Sequence, residues 1–317
     1  GSWNSTVGGF VNLADGIVCT VVAKKKMFEV NGVNYNFVTR EEFEARIERG
    51  EFLEYAQYNG NYYGTSMAVL REKMAQGIDV ILGTPTAAPP KWIIDRNPEI
   101  QPTDWRGQQR FFGSRHHDCQ SNPVYREHIR RYVTAFAAHY ANNPAVVGWQ
   151  VDNELGNSHG DLCYCEHCER RFQTWLQEKY GCIDELNRAW GTAFWSQGYD
   201  DFTCIPAPKI TAAWGVNPSH ELDWKRFTSD LICEFHQFQA DILRAAAPDK
   251  WITHNLMGFS SKPSYYKLGE QLDFASHDQY PGGHFHGRHD VFRGDSNAAE
   301  LDMIRGTKQQ SFWLMEQ

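Results

Sequence analysis

The chain has 317 residues, of which 41% are hydrophobic and 14% aromatic, and its formal net charge is −8. This length suits one large domain or two ordinary ones, with enough apolar residues for a sizeable core. The acidic balance argues against nucleic acid as a partner, because phosphate binding needs a basic surface. No stretch approaches the roughly 18–20 apolar residues of a membrane span, so we expect no membrane partner.

Residues 1–27 carry no assignable chemistry, and a regular pattern begins after them. A strand-like run at 33–38 leads to Thr39, whose capping box with Glu42 predicts a helix ending near Gly50. Further elements are predicted at 52–55 (strand), 59–60 (turn), 66–77 (helix) and 79–82 (buried strand). The segment 28–82 is therefore predicted to be a small α+β unit.

After residue 82 the order strand, loop, helix repeats, which is typical of parallel βαβ units. Strands are predicted at 145–151, 251–257, 273–280 and 311–316, and helices at 122–140, 166–180, 183–190 and in a long segment capped by Ser219. This alternation predicts an α/β fold of the barrel type.

Three cysteines, Cys163, Cys165 and Cys168, lie within six residues, and Cys119 precedes them on a loop. Thiolates that converge on one tetrahedral zinc ion need such spacing, whereas thiols this close do not pair sensibly as disulfides. Four protein ligands would close the coordination shell, so the zinc would be structural. Free buried thiols are the alternative. Either reading favours a reducing, cytoplasmic setting.

Two predicted strands end on glutamates, Glu154 and Glu316. A carboxylate at the end of an apolar strand belongs in a polar pocket, and catalytic carboxylates lie at the C-terminal rim of α/β barrels. Two such groups are the minimal equipment for breaking a glycosidic bond. The alternative is a pair of unrelated surface glutamates.

Specific motifs occur at 83–92, 112–115, 148–154, 217–220, 253–258, 273–276 and 312–317, and in the cysteine set. Together they closely resemble the β-galactosidases of glycoside hydrolase family 42, over about residues 78–317. The resemblance implies a (β/α)₈ barrel, a β-galactoside substrate and a retaining mechanism. It makes Glu154 the general acid/base and Glu316 the nucleophile.

The same resemblance assigns supporting residues and an assembly. Arg115 matches a substrate-binding arginine, and Asn153 matches the residue that holds the sugar's 2-hydroxyl. The four cysteines match zinc ligands, and the family implies a homo-oligomer, commonly a trimer. From its position at the end of strand 273–280, Tyr280 is a candidate hydrogen-bond partner of Glu316, although a plain aromatic strand end is equally consistent. We expect an apolar surface beside Glu154 and hydrogen bonds that keep Glu316 charged.

Residues of about 29–82 resemble a different family, the guanylate kinases, in the segments 29–38, 40–43, 50–56 and 61–66. The residues that match Tyr35, Glu54, Tyr63 and Thr65 hold GMP in that family. A Gly-x-x-x-x-Gly-Lys-Ser/Thr phosphate loop is absent from the sequence, so kinase activity is not expected. Weak GMP binding stays open.

The glycosidase resemblance lacks recognisable first, second and eighth barrel strands. We therefore expect a partial barrel over 78–317 with open strand edges, after a lead at 1–27 and the guanylate-kinase-like segment at 28–82. The rival hypothesis is a catalytically inactive chimera or fragment that keeps a structural zinc site.

Overall fold

The computed structural model describes residues 11–12, 19–21, 36–58, 61–75, 79–157, 162–212, 215–280 and 294–316. Its strands are β1 Val11–Asn12, β2 Cys19–Val21, β3 Asn36–Phe37, β4 Phe52–Tyr58, β5 Asn61–Ser66, β6 Val80–Gly83, β7 Val146–Gln150, β8 Trp251–Thr253, β9 Asn255–Leu256, β10 Ser276–Asp278 and β11 Trp313–Glu316. Its α-helices are α1 Arg40–Glu48, α2 Met67–Ala75, α3 Lys91–Arg96, α4 Pro123–Tyr140, α5 Glu166–Tyr180, α6 Ile183–Trp190, α7 Pro218–Ala246, α8 Tyr265–Gln271 and α9 Gly294–Lys308.

The strands of the second part of the chain form a parallel series. β6 pairs with β7 and β7 with β8, while β9 pairs with β10 and β10 with β11, all in parallel. Only His254 separates β8 from β9, so the two short sheets are consecutive pieces of one curved wall. The predicted partial (β/α) barrel is therefore confirmed.

The barrel core lies between this wall and the helices α4 and α7. All four residues of β6 are buried, as expected for a parallel strand covered on both faces. Trp149 and Ile252 on the strands pack in one buried cluster with Tyr125 of α4 and Phe235 of α7. Burial of these large apolar side chains fixes how the strands stack, and so where their ends lie.

The start of α7 corrects the prediction that Ser219 caps this helix. The cap is Asn217, whose side-chain oxygen accepts hydrogen bonds from the backbone N–H groups of Ser219 (2.9 Å) and His220 (3.4 Å). Pro218 occupies the first turn, where a missing N–H is harmless. The same Asn-Pro signature correctly predicted the start of α4 at Asn122-Pro123.

The N-terminal segment forms a separate small sheet of order β3-β2-β5-β4. The predicted cap at Thr39 is confirmed, since its hydroxyl accepts from the Glu42 N–H at 3.2 Å. On α1, Phe43 stacks on Phe52 of β4 with ring centroids 4.2 Å apart. β4 is longer than the predicted strand at 52–55. The predicted turn at 59–60 lies outside the described residues.

The outer edge of β6 is partly covered. β1 pairs antiparallel with it, placing Val11 opposite Leu82 and Asn12 opposite Ile81. The expectation of an open edge is thus wrong at this strand, because two residues of the lead supply the missing hydrogen-bond partners.

Candidate active site

The C-terminal ends of the parallel strands bring polar side chains to one rim. Register places Gln150 opposite Thr253, Leu256 opposite His277, and Asp278 opposite Glu316. Because parallel strands end on the same side, residues far apart in sequence meet there. The rim contains both predicted catalytic glutamates.

Glu154 lies on the loop that follows β7 and is 4% exposed. Its carboxylate forms an ion pair with Arg115 and accepts a hydrogen bond from Asn157 Nδ2 at 3.1 Å. Its backbone N–H donates to Asn255 Oδ1 at 3.0 Å. The polar partners of Glu154 in the described part of the chain thus include Arg115, Asn157 and Asn255, and the apolar surface expected beside it stays a prediction.

The loop that carries Glu154 has a demanding backbone conformation. Asp152 and Glu154 have φ values of 57° and 44°, a region that non-glycine residues seldom adopt. His254 holds the loop by donating from Nδ1 to the Val151 carbonyl (2.7 Å) and accepting at Nε2 from the Leu155 N–H (3.1 Å). This pairing requires a neutral imidazole, and burial lowers the pKa of His254 accordingly.

A second buried network supports the loop from below. Asp152 accepts hydrogen bonds from Thr86 Oγ1 at 2.5 Å and from the Asn153 N–H at 2.7 Å, and its other contact is His116 Nε2 at 3.0 Å. Burial acts to raise the pKa of Asp152, but the interactions with His116, Thr86 and Asn153 together lower it. Asp152 is thus a buried carboxylate whose oxygens are paired.

Glu316 at the end of β11 accepts a hydrogen bond from the Tyr280 hydroxyl. Burial raises the pKa of Tyr280, as does the Glu316 charge, so the hydroxyl keeps its proton and acts as donor. Burial also raises the pKa of Glu316; Tyr280 opposes this shift and the nearby charge of Glu154 adds to it. The expected hydrogen bond from Tyr280 is present, but burial raises the pKa of Glu316 more than this bond lowers it.

A third carboxyl group, Asp278 at the end of β10, shares this rim and was not among the predicted site residues. It is 5% exposed. Burial, then the charges of Glu316 and Glu154, raise the pKa of Asp278 to about 9. Asp278 lies two residues before Tyr280, so alternation along a strand could have pointed to it. Three carboxyl groups in one buried cluster do not all ionise together at neutral pH.

Asn255, also missed, connects these groups. Its Nδ2 atom donates to Asn153 Oδ1 at 2.9 Å and to Asp278 Oδ2 at 2.7 Å. Asn153 is 2% exposed, and its Nδ2 atom has no hydrogen-bond acceptor among the described residues. The two asparagines therefore link the loop of Glu154 to the strand beside Glu316.

The four predicted cysteine ligands converge in the structure. The Sγ atoms of Cys119, Cys163, Cys165 and Cys168 all lie within 4.8 Å of one another. Cys119 Sγ is 3.5 Å from the Sγ atoms of both Cys165 and Cys168. Tetrahedral sites with metal–sulfur bonds of about 2.3 Å need sulfur separations of about 3.8 Å, so this cluster could hold a metal ion.

The predicted nucleotide-binding residues give no site in the described part of the chain. Tyr35 lies outside the described residues, and for Glu54, Tyr63 and Thr65 only the backbone, on β4 and β5, is described. Their GMP-binding role stays a prediction. Among the described residues, no helix is both long and apolar enough to cross a bilayer.

A partial (β/α) barrel with two glutamates on its C-terminal rim is the arrangement typical of glycoside hydrolases of the barrel type. The family model for glycoside hydrolase family 42, described as Beta-galactosidase, matches residues 58–317. The chain belongs to this family. A second model, for guanylate kinase, matches residues 12–91.

Individual relatives agree with the family match. Beta-galactosidase BgaA of a Thermus species is 47% identical over 258 residues, which are 77% of this chain and 39% of that protein. The structure of the beta-galactosidase from the psychrophilic Marinomonas ef1 matches with a TM-score of 0.73 and 41% identity, covering 78% of this chain and 39% of that one. The beta-galactosidase from Halorubrum lacusprofundi gives a TM-score of 0.71 at 39% identity, over 79% of this chain and 39% of that one. The chain thus spans about two fifths of the length of these relatives.

Asp278 generates a prediction about stability and pH. A pKa of about 9 in the folded state, against 3.8 for the ordinary carboxyl, means that the unfolded state binds fewer protons between these values. Stability should therefore fall as pH rises from about 4 to about 9, by at most about 1.4 kcal/mol per pH unit. Asp278→Asn, which has no proton to lose, should flatten this decline in urea unfolding at pH 5, 6.5 and 8.

Asp302→Asn is the matched control, since the Asp302 side chain is 76% exposed. Its stability curve should run parallel to that of the parent. A parallel curve for Asp278→Asn as well would show that Asp278 ionises normally in the folded protein.

Proposed function

We propose that the chain is a retaining glycoside hydrolase that acts on terminal β-galactosides, with Glu154 and Glu316 as its catalytic pair. One observation carries the proposal. Buried Glu154 and half-buried Glu316 lie on one barrel rim, joined through Asn255, which contacts both the Glu154 backbone and Asp278, the residue opposite Glu316. A retaining mechanism needs its two carboxyl groups about 5–5.5 Å apart, and placement on one rim is consistent with that requirement.

The chemistry follows from the two environments. Glu316, as a carboxylate, attacks the anomeric carbon while Glu154 gives its proton to the leaving oxygen, so that the glycosidic bond breaks and a glycosyl ester of Glu316 forms. Glu154 then takes a proton from water, the water oxygen attacks the same carbon, and Glu316 leaves as a carboxylate. Two inversions give net retention of configuration.

The neighbours of the pair have matching roles in the proposal. Tyr280 donates to Glu316 and stabilises the carboxylate that must attack. Arg115, beside Glu154, stabilises the charge that Glu154 acquires after it has protonated the leaving group. Asn153 provides a buried N–H donor for the sugar's 2-hydroxyl. The galactoside itself is inferred from the family, because the rim does not by its contacts distinguish one hexose from another.

Hydrolysis of 4-nitrophenyl β-galactoside tests the proposal. We expect turnover by the parent with retained configuration, seen by proton NMR of the first-formed sugar. Glu316→Ala should lower kcat by at least about 1,000-fold, because the nucleophile is lost. Glu154→Ala should lose less on this activated leaving group than on lactose, since a good leaving group needs little protonation.

Glu270→Gln serves as control, because Glu270 is an exposed residue of α8. It should match the parent on both substrates. A parent that folds and binds metal but hydrolyses neither substrate would favour the rival hypothesis of an inactive chimera or fragment.

We also propose that the cysteine cluster holds a structural zinc ion. Four thiolates are the donor set that zinc prefers, and they leave no coordination position for a substrate. Bound there, the ion would tie the loop at Cys119 to the N-terminus of α5, which begins directly after Cys165. It would contribute to folding and not to the reaction.

Elemental analysis of the purified protein should find one zinc per chain. Cys168→Ser should lose the metal and lower the melting temperature, because a missing ligand opens the site. Cys204→Ser, which changes an exposed thiol outside the cluster, should keep both. Metal-free protein whose melting temperature zinc does not raise would contradict the proposal.

The match of residues 12–91 to guanylate kinase supports a second, weaker activity, binding of GMP by the N-terminal segment. Tyr35, Glu54, Tyr63 and Thr65 would hold the nucleotide. Calorimetry should then show heat on GMP titration into the parent but not into a Glu54→Ala and Tyr63→Phe double variant, with AMP as the control ligand. No heat with GMP would remove this activity.

Family membership further leads us to propose a homo-oligomeric, cytoplasmic protein, with a trimer as the expected state. Thiols that must stay reduced to bind zinc are consistent with that compartment.

A further inference from the structure

The side chain of Asn255 is fully buried, and its oxygen and its nitrogen are both hydrogen-bonded at the rim. Its Oδ1 atom accepts from the Glu154 N–H, and its Nδ2 atom donates to Asn153 Oδ1 and to Asp278 Oδ2. An asparagine side chain has one acceptor oxygen and two N–H donors. We refer to Asn255, Asn153, Asp278 and the Glu154 N–H as the amide relay.

The direction of every hydrogen bond in the amide relay follows from one unambiguous donor. A backbone N–H only donates, so the atom of Asn255 that faces Glu154 must be the oxygen. The Asn255 nitrogen therefore faces Asn153 and Asp278. Asn153 must in turn present its oxygen to Asn255, because two NH₂ groups facing each other would leave both unsatisfied.

The orientation of Asn255 determines which atom of Asn153 is left for a sugar. Once its oxygen is engaged by Asn255, Asn153 has only its Nδ2 donor left, and this buried atom has no acceptor among the described residues. With the opposite orientation, Asn153 would present an acceptor there. The orientation of one amide thus decides which hydrogen-bond polarity the rim offers.

We propose that Asn255 is a positioning residue that fixes Asn153 as a hydrogen-bond donor to the sugar's 2-hydroxyl and so favours sugars that carry this hydroxyl. This inference rests on the proposed function for the identity of the ligand. The relay itself stands on the contacts of Asn255. Asn255 touches no substrate in this proposal and acts through Asn153 and through the backbone of Glu154.

Two substrates that differ only in the 2-hydroxyl, 4-nitrophenyl β-galactoside and its 2-deoxy analogue, distinguish a positioning role of Asn255 from a purely structural one. In Asn255→Leu the side chain can neither donate nor accept, so no hydrogen bond fixes Asn153 and its carbonyl can turn toward the sugar. The value of kcat/KM for 4-nitrophenyl β-galactoside should fall by about 100-fold or more, because the N–H donor to the 2-hydroxyl is no longer held in place. For the 2-deoxy analogue the loss should be at least about tenfold smaller.

The comparison of the two substrates cancels general damage. Disturbance of Asp278 or of the Glu154 loop slows both substrates alike, whereas a change of polarity at Asn153 affects only the one with a 2-hydroxyl. Asn217→Leu is the control, since Asn217 caps α7 and is hydrogen-bonded to none of the rim residues. Equal losses on both substrates in Asn255→Leu would overturn the proposed selection.

Neutron diffraction from deuterated crystals of the parent tests the relay without any turnover. We expect two deuterons on Asn255 Nδ2, directed at Asn153 Oδ1 and Asp278 Oδ2, and an ND₂ group of Asn153 that faces away from Asn255. An Asn153 that presents its ND₂ group to Asn255 would overturn the relay even in an active enzyme. Deuterons as expected in a protein without hydrolytic activity would keep the relay and reject the proposed function.

Discussion

Parallel pairing of the barrel strands is the constraint on which the site depends. Glu154, Asn255, Asp278 and Glu316 are spread over more than half of the sequence, and no local feature of the chain brings them together. They meet because β7, β9, β10 and β11 run in one direction and end on one side. A single antiparallel strand in this series would carry its terminal carboxyl group to the opposite end of the barrel.

The polar groups gathered at that rim are buried, so the structure must satisfy them from within. Thr84 donates to Gln239 Oε1 of α7, and Thr86, which donates to Asp152, has its hydroxyl 3.0 Å from the same Gln239 oxygen. This network contacts the loop through Asp152, while His254 and the amide relay contact the same loop at Val151, Leu155 and Glu154. The positive φ angles at Asp152 and Glu154 are tolerable because hydrogen bonds on both sides determine the conformation.

The sequence predicted elements well wherever local rules decide. The bounds of α5 and α6 were predicted at 166–180 and 183–190, as observed, because glycines follow their last residues. The place of Glu154 and Glu316 at the rim was predicted because each follows an apolar strand. Asp278 and Asn255 were not found, because their importance depends on partners distant in sequence. Asn255 is hydrogen-bonded to Asn153, which lies 102 residues away in the sequence. The burial that raises the pKa of Asp278 depends on neighbours that the sequence alone does not reveal.

The first strand of the chain shows how an incomplete barrel can still present an ordered wall. β6 has β7 on one side, and its other side would expose unpaired N–H and C=O groups that invite association. β1 covers part of that side in the antiparallel direction, where a closed barrel would use a parallel strand. Antiparallel pairing satisfies the same backbone groups but contributes no strand end to the catalytic rim. β1 therefore covers part of the edge of β6 but adds no residue to the rim that carries Glu154 and Glu316.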